Sequence, residues 1–276
     1  MDVLKEKIGL IASSGTLPID FIREASQKNV SVIAIALNRE IARAIKKQGL
    51  TDALSKMPIG QVDMIFQSLK NKKINKVVML GKFDKATIFQ GLRFDKRAQS
   101  LIKQKFDLQD VSLMELIISE FEKEGFEVLK QTEYLSSILA PEGVLTNRIP
   151  DEREWEDIHH GLPLAYNIAG MDIGQTIVVK NRAVISVEAL EGTDAAILRA
   201  GKLAKSGTVV VKVSRPKQDL RYDIPAVGIK TLKIMEKIKS VVLAVEANKT
   251  FLLDRENLIK YADLKNICIV GEKINK

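Results

Sequence analysis

Thr208-Val209-Val210-Val211-Lys212-Val213-Ser214-Arg215-Pro216-Lys217-Gln218-Asp219-Leu220-Arg221-Tyr222-Asp223-Ile224-Pro225-Ala226-Val227-Gly228 is the stretch from which the fold is read. Its first six residues form a near-continuous β-branched run, the mark of a strand covered on both faces. Apolar residues at helical spacing follow from Gly228 to Ile238. A polar loop between strand and helix lies outside the carboxyl end of the strand, where open α/β sheets place their ligands. Lys212, Arg215, Lys217 and Arg221 give it positive charge, while Asp219 and Asp223 are hard oxygen donors four residues apart. Pro216 and Pro225 stiffen it. The same composition also describes a surface loop whose acids and bases pair with one another.

Just upstream, Gln175 to Lys180, the turn Lys180-Asn181-Arg182 and Ala183 to Ala189 read as a hairpin. Glu188, Glu191 and Asp194 gather around Gly192 before a helix from Ala195 to Ala204, where acids also complement the helix dipole. Downstream, Ser240 to Val245, Thr250 to Leu253, a capped helix from Asp254 to Tyr261, and Ile267 to Val270 complete an α/β layer. The amino-terminal half carries its own α/β pattern. Lys7 to Ala12, the turn Ser13-Ser14-Gly15-Thr16-Leu17-Pro18, a helix from Ile19 to Lys28 and Val30 to Leu37 form a βαβ unit. Backbone N–H groups around Gly15 and Thr16 are placed to hold an anion, although a plain tight turn fits equally well. The turn lacks G-x-G-x-x-G, which argues against a dinucleotide site. Gly60 to Asn71 reads as a helix and Lys76 to Leu80 as a strand ending at Gly81-Lys82, a second strand-end turn with a cation. Helical patterning from Lys85 to about Glu124 and a short strand at Phe126 to Leu129 follow. The fold class is thus α/β, with a Rossmann-like domain over residues 1–130, a turn-rich connection over 131–150 and a second α/β domain over 151–276. A helix from Asp151 to Ala169 opens that domain, with Trp155 expected to pack at the domain junction.

Composition narrows the partners. The 276 residues carry 43 Lys+Arg against 35 Asp+Glu, a net charge of +8 that favours anionic ligands such as nucleotides or acidic lipid head groups. Lys70-Asn71-Lys72-Lys73 reads as a helix C-terminus and not as a nucleic-acid patch. Cys268, the single cysteine, lies in an apolar run, so neither a disulfide nor a thiolate zinc site is expected. His159 and His160 are adjacent and the only histidines, which makes a Ser-His-Asp triad or a histidine metal site improbable. The start of the chain lacks a signal-peptide core and no apolar stretch approaches membrane-spanning length, so a cytoplasmic protein is expected.

Several fragments, in this order along the chain, resemble one family. They are Gly9-Leu10-Ile11-Ala12 with Gly15-Thr16-Leu17-Pro18, Ala140-Pro141-Glu142-Gly143-Val144-Leu145-Thr146, and Asp172-Ile173-Gly174-Gln175. Val187-Glu188-Ala189 with Glu191-Gly192-Thr193-Asp194 and Gln218-Asp219-Leu220-Arg221-Tyr222-Asp223-Ile224-Pro225 complete the set. Together they are similar to the LpxI-type UDP-2,3-diacylglucosamine pyrophosphatases, with a departure at Ser13-Ser14, where the family tends to have glycines. The resemblance implies a Mg²⁺-dependent hydrolase of lipid A biosynthesis, with Mn²⁺ as a substitute. It would release UMP and 2,3-diacylglucosamine 1-phosphate at the cytoplasmic face of the inner membrane, as a peripheral protein. On that reading Asp219 and Asp223 are the metal and water-orienting residues, and Arg221 and Lys212 hold phosphate oxygens. Glu188, Glu191 and Asp194 are further metal candidates, and Thr146, Arg148, Gly15, Thr16 and Lys82 are substrate contacts. The implied partners are the UDP-sugar lipid and an anionic bilayer, without nucleic acid, and a homodimer is compatible. The alternative is a non-catalytic nucleotide- or phospholipid-binding protein.

Overall fold

The computed structural model describes residues 5–81, 94–104 and 110–274. They divide into two compact units, one of Met1–Leu135 with Leu220–Tyr222 and the other of Ser136–Asp219 with Asp223–Lys276.

The first unit is built on a parallel sheet of β1 (Lys7–Ala12), β2 (Ser31–Ala36), β3 (Ala53–Lys56), β4 (Lys76–Leu80) and β5 (Glu127–Val128), in the order β3-β2-β1-β4-β5. β2 is buried along its whole length and β1 from its second residue, as the unbroken apolar runs require of strands covered on both faces. The strand order reverses between β1 and β4, the switch point of a doubly wound, Rossmann-like sheet. Helix Leu17–Gln27 starts with Pro18 in its first turn, where a missing N–H costs nothing. Helix Arg39–Gln48 and β3 are additions to the sequence reading. Asn38 caps that helix by accepting from the Ile41 N–H at 2.9 Å, and Gly49 ends it in the left-handed region at φ 66°. Phe66, Phe121 and Phe126 form the aromatic centre of the core, and Tyr222, 5% exposed, belongs to the same cluster.

The second unit holds a six-stranded mixed sheet: β6 (Gly143–Val144), β7 (Thr176–Lys180), β8 (Ala183–Val187), β9 (Val209–Lys212), β11 (Val242–Glu246) and β13 (Cys268–Glu272). The order is β6-β13-β11-β9-β7-β8. β9, β11 and β13 are parallel, while β6, β7 and β8 each run antiparallel to their neighbours. β10 (Ala226–Val227) and β12 (Phe251–Leu252) form a small parallel pair beside it. Alternate residues of β9 feed different cores: Val210 packs with Val178, Leu243 and Ile269, and Val209 and Val211 pack with Ile177, Ala244 and Val270. The long helix Glu152–Gly170 covers the second of these faces, capped by a reciprocal box between Asp151 and Glu154. A Cβ at Gly161 would lie 2.8 Å from Val211 Cγ2, so the glycine sets how closely the helix approaches β9. Trp155 stacks on His159 at 5.4 Å and packs against this same core.

Two local expectations change. The turn-rich stretch before Pro150 contains β6, which adds to β13 as an edge strand of the second sheet. Asp254 occupies the N-cap position of helix Arg255–Leu264, but at φ 49° its carboxylate accepts from Asn257 Nδ2 and caps no backbone N–H.

Candidate active site

Lys212 is the last residue of β9, facing Val245 of β11 on one side and Thr176 of β7 on the other. This is the carboxyl end of the parallel strands. Its Nζ donates to Thr176 Oγ1 at 3.1 Å and Thr193 Oγ1 at 3.0 Å, and lies 3.9 Å from Glu188 Oε2. Glu188 Oε1 accepts from Thr193 Oγ1 at 2.7 Å, whereas its Oε2 is buried without a hydrogen bond among the described residues. The lysine and glutamate side chains are only 10% and 14% exposed. A cation and an anion withdrawn this far from water must compensate one another, so the pair is held in place by its own electrostatics. Thr193 is the first residue of helix Thr193–Ala204, whose N-cap is Gly192 at φ 82° with no side-chain cap. Lys212 therefore stands beside an uncapped helix N-terminus, an electropositive corner suited to phosphate oxygens.

The loop leaves β9 through a second cluster. Ser214 donates from its N–H and its Oγ to Glu246 Oε2, at 2.8 and 2.5 Å, and Lys249 Nζ reaches Glu246 Oε1 at 2.6 Å. Arg215 then donates from Nε to Asp172 Oδ1 at 2.7 Å and from Nη1 to Asp223 Oδ2. Burial works against the Arg215 charge, but the hydrogen bond and attraction of Asp223, and after them those of Asp172, prevail and hold the guanidinium above its ordinary range. Asp223 itself has φ 53°, a left-handed conformation that a non-glycine residue adopts at a cost, and its side chain is half exposed. Between these anchors, Leu220–Tyr222 belongs to the first unit. There Leu220 O accepts from the Gln131 N–H at 2.8 Å, and Arg221 Nη1 donates to Glu122 Oε1 at 2.7 Å.

The residues singled out from sequence do not all gather here. Glu191 is paired with Arg199 at 2.5 Å and Asp194 with Lys230 at 2.6 Å, both at the surface, while Glu188 turns inward. Among the described residues no three His, Cys, Asp or Glu side chains converge as a metal cluster. Thr146 and Arg148 stand at the other edge of the second sheet. Thr146 Oγ1 accepts from the Ile269 N–H at 3.0 Å, and Arg148 spans from Glu154 to the carbonyl of Val241, which precedes β11. Val241 lies four residues before Val245, the β11 partner of Lys212, roughly 13 Å at strand rise, so Thr146 and Arg148 brace the sheet's amino end and do not join Lys212. Gly15, at φ 105°, and Thr16 lie in the first unit, at the start of helix Leu17–Gln27, where Thr16 makes no side-chain cap. Lys82 lies outside the described residues. Thr176, Thr193 and Glu246 were not singled out from sequence. Thr176 and Glu246 sit far along the chain from Lys212 and Ser214, and the strand pairing of β7, β9 and β11 brings them together, while Thr193 comes to Lys212 at the start of its helix.

The first unit has a separate small apolar pocket of about 60 Å³. It opens among Ile11, Leu37 and Met79 at the carboxyl ends of β1, β2 and β4, and Phe66 and Phe121 line its wall.

Comparison with known proteins follows the same division. The LpxI N-terminal domain model matches residues 7–138 and the LpxI C-terminal domain model matches residues 141–270. The UDP-2,3-diacylglucosamine pyrophosphatase LpxI of Caulobacter vibrioides is 28% identical over 276 residues, spanning 96% of this chain and 97% of that protein. Two consecutive domains of one family, in order and covering both α/β units, leave one assignment: the chain belongs to the LpxI family.

Proposed function

We propose that this protein hydrolyses the pyrophosphate of UDP-2,3-diacylglucosamine to UMP and 2,3-diacylglucosamine 1-phosphate, a step of lipid A synthesis. The observation that carries the reading is end-to-end likeness to a pyrophosphatase named for that substrate, across both domains. The chemistry of the second unit agrees with it. Pyrophosphate hydrolysis is mainly a problem of charge, because water must approach a phosphorus ringed by negative oxygens. Lys212 is buried, already hydrogen-bonded to two threonine hydroxyls and beside a helix N-terminus, and so is preorganised to take a phosphate oxygen. Arg215 holds the Asp223 carboxylate in one orientation, which suits a group that orients the attacking water. Arg221 remains a second candidate for phosphate binding. The apolar pocket of the first unit has the lining an acyl chain needs.

Mg²⁺ fits the donors present. They are oxygens only, and Mg²⁺ is commonly held by one or two carboxylates together with substrate phosphates, so a protein cage of three acids is not required. Asp219 and Asp223 would hold it, while Glu188 turns inward against Lys212. Bound there, the ion, or Mn²⁺ in its place, would neutralise charge on the pyrophosphate. No helix among the described residues is long and apolar enough to cross a membrane, and the +8 charge favours reversible contact with an anionic bilayer from the cytoplasmic side.

The test is incubation of the purified protein with UDP-2,3-diacylglucosamine and Mg²⁺, following UMP and the lipid monophosphate by mass spectrometry, with EDTA as control. Release of both products, abolished by EDTA, is expected. Substrate that binds but stays intact would favour a non-catalytic lipid or nucleotide carrier. Salt-sensitive flotation with anionic vesicles tests the membrane contact.

A further inference from the structure

Glu246 is 3% exposed, at the carboxyl end of β11. A buried carboxylate is retained only where its charge is answered, and here each oxygen has its donors. Lys249 answers Oε1 from the partly exposed side, and Ser214 gives Oε2 both its N–H and its hydroxyl. A charged acceptor with two donors on one oxygen makes a stronger and more directional tie than a neutral one.

The location of this tie matters. Backbone pairing between β9 and β11 ends at Lys212 and Val245. On the other flank the Val213 N–H still bonds Gln175 O at 2.9 Å. Ser214 is the next residue, and Arg215 after it already bends toward Asp172 and Asp223. Glu246 thus prolongs the strand pairing by one side-chain step, at the point where the chain leaves the sheet and its direction sets where Arg215 and Asp223 stand.

We infer that Glu246 is a positioning residue for the proposed hydrolysis: by clamping Ser214 it fixes the exit of the 214–223 loop and, through it, the Arg215–Asp223 pair. The inference rests on the pyrophosphatase reading for its kinetic effect, but not for its structural one.

The experiment compares wild type with Glu246→Ala, Glu246→Gln and Ser214→Ala. It measures hydrogen exchange of amides 214–223 alongside kcat and KM for UDP-2,3-diacylglucosamine. Glu246→Ala is expected to speed exchange in that loop about tenfold while peptides of the first-unit sheet stay as in wild type. Its kcat should fall about a hundredfold with KM changed less than about threefold. Glu246→Gln keeps an oxygen facing Ser214, and Lys249 can turn to solvent, so loop protection and most of kcat should return. Ser214→Ala removes one of the two bonds and should lie between. A folded Glu246→Ala protein with wild-type loop exchange overturns the inference, as does unchanged kcat in an active enzyme or a Glu246→Gln protein as impaired as Glu246→Ala. If Glu246→Ala does not fold, Ser214→Ala decides: wild-type exchange and wild-type kcat in that variant also overturn it. Wild-type protein that turns over no substrate would sink the pyrophosphatase reading, leaving loop exchange to judge the clamp.

Discussion

The turn after β1 and the loop after β9 occupy equivalent places, each beyond the carboxyl end of a buried parallel strand, yet they are held in opposite ways. Ser13 to Thr16 is held by backbone: the Ser13 N–H bonds Leu80 O at 2.9 Å, and a Cβ on Gly81 would fall 2.6 Å from Ser14 O. The loop from Ser214 to Asp223 is held by charge, through Glu246, Asp172 and the Arg215–Asp223 pair. A backbone-packed turn keeps its place whatever side chains it carries, so it can serve as scaffold with little chemistry of its own. A charge-packed loop presents its functional groups and is fixed by those same groups, which makes it sensitive to single substitutions. Position in a parallel sheet therefore nominates a ligand site, and the manner in which the loop is anchored discriminates between candidates.

The contrast is sharpest in activity. Asp223→Ala should lower turnover by about 10³-fold or more, the scale of lost transition-state stabilisation, while stability falls by only about 1 kcal/mol, because alanine suits the left-handed φ of 53° less well and Arg215 loses a partner whose side chain is half exposed. Steady-state kinetics beside a thermal melt check this, and near-normal turnover in both Asp223→Ala and Arg215→Ala would reduce the pair to a surface salt bridge. The next effect crosses the contrast. Tyr222→Ala changes a residue of the charged loop, but its ring lies in the core of the first unit, so it should destabilise that unit by about 3 kcal/mol. Denaturant unfolding followed by hydrogen exchange in β1 and β4 would show it. Gly81→Ala attacks the backbone-packed turn at φ 102°, where both strain and overlap oppose a methyl group, and should cost about 2 kcal/mol by the same readout. A neutral result there would mean that the turn yields, and the distinction between the two anchoring modes would weaken.

The smallest effect is one of pH, at the far end of the first sheet. Burial first, then the hydrogen bond to Glu6, push the Tyr134 hydroxyl up to about 12. A raised folded value means stabilisation that is complete below the unfolded value near 10 and is lost as pH rises through 12. Tyr134→Phe should flatten that alkaline decline in unfolding measurements, and only slightly, since the side chain is only partly buried and water screens the rest.

Much of the fold is legible in sequence because burial on both faces writes itself as apolar runs rich in β-branched residues: Lys7 to Ala12, Lys76 to Leu80 and Thr208 to Val213 each contain a strand. β3 is less legible, since Ala53-Leu54-Ser55-Lys56 is a half-buried edge of four residues without such a run. Helix Arg39–Gln48 has few apolar residues to show its period, although Asn38 and Gly49 mark both its ends. The site is legible to the extent that it is local. Lys212 and the loop aspartates could be nominated from their place after a strand, and Glu188 from its neighbours. Which acid turns inward could not be read, because it depends on a hairpin register: Glu188 follows the Val187–Ile177 pair and faces Lys212, whereas Glu191 and Asp194, three and six residues on, meet surface cations. Glu246 carries no sequence signal at all, since its partner Ser214 is 32 positions away.

The return of Leu220–Tyr222 to the first unit has a consequence for how the chain is made. At ordinary elongation rates the 86 residues between Leu135 and Tyr222 take on the order of ten seconds to synthesise. Throughout that interval the nascent first unit lacks the ring that completes its aromatic core and the Leu220 carbonyl that accepts from Gln131. The amino-terminal domain therefore finishes folding only after most of its successor has left the ribosome.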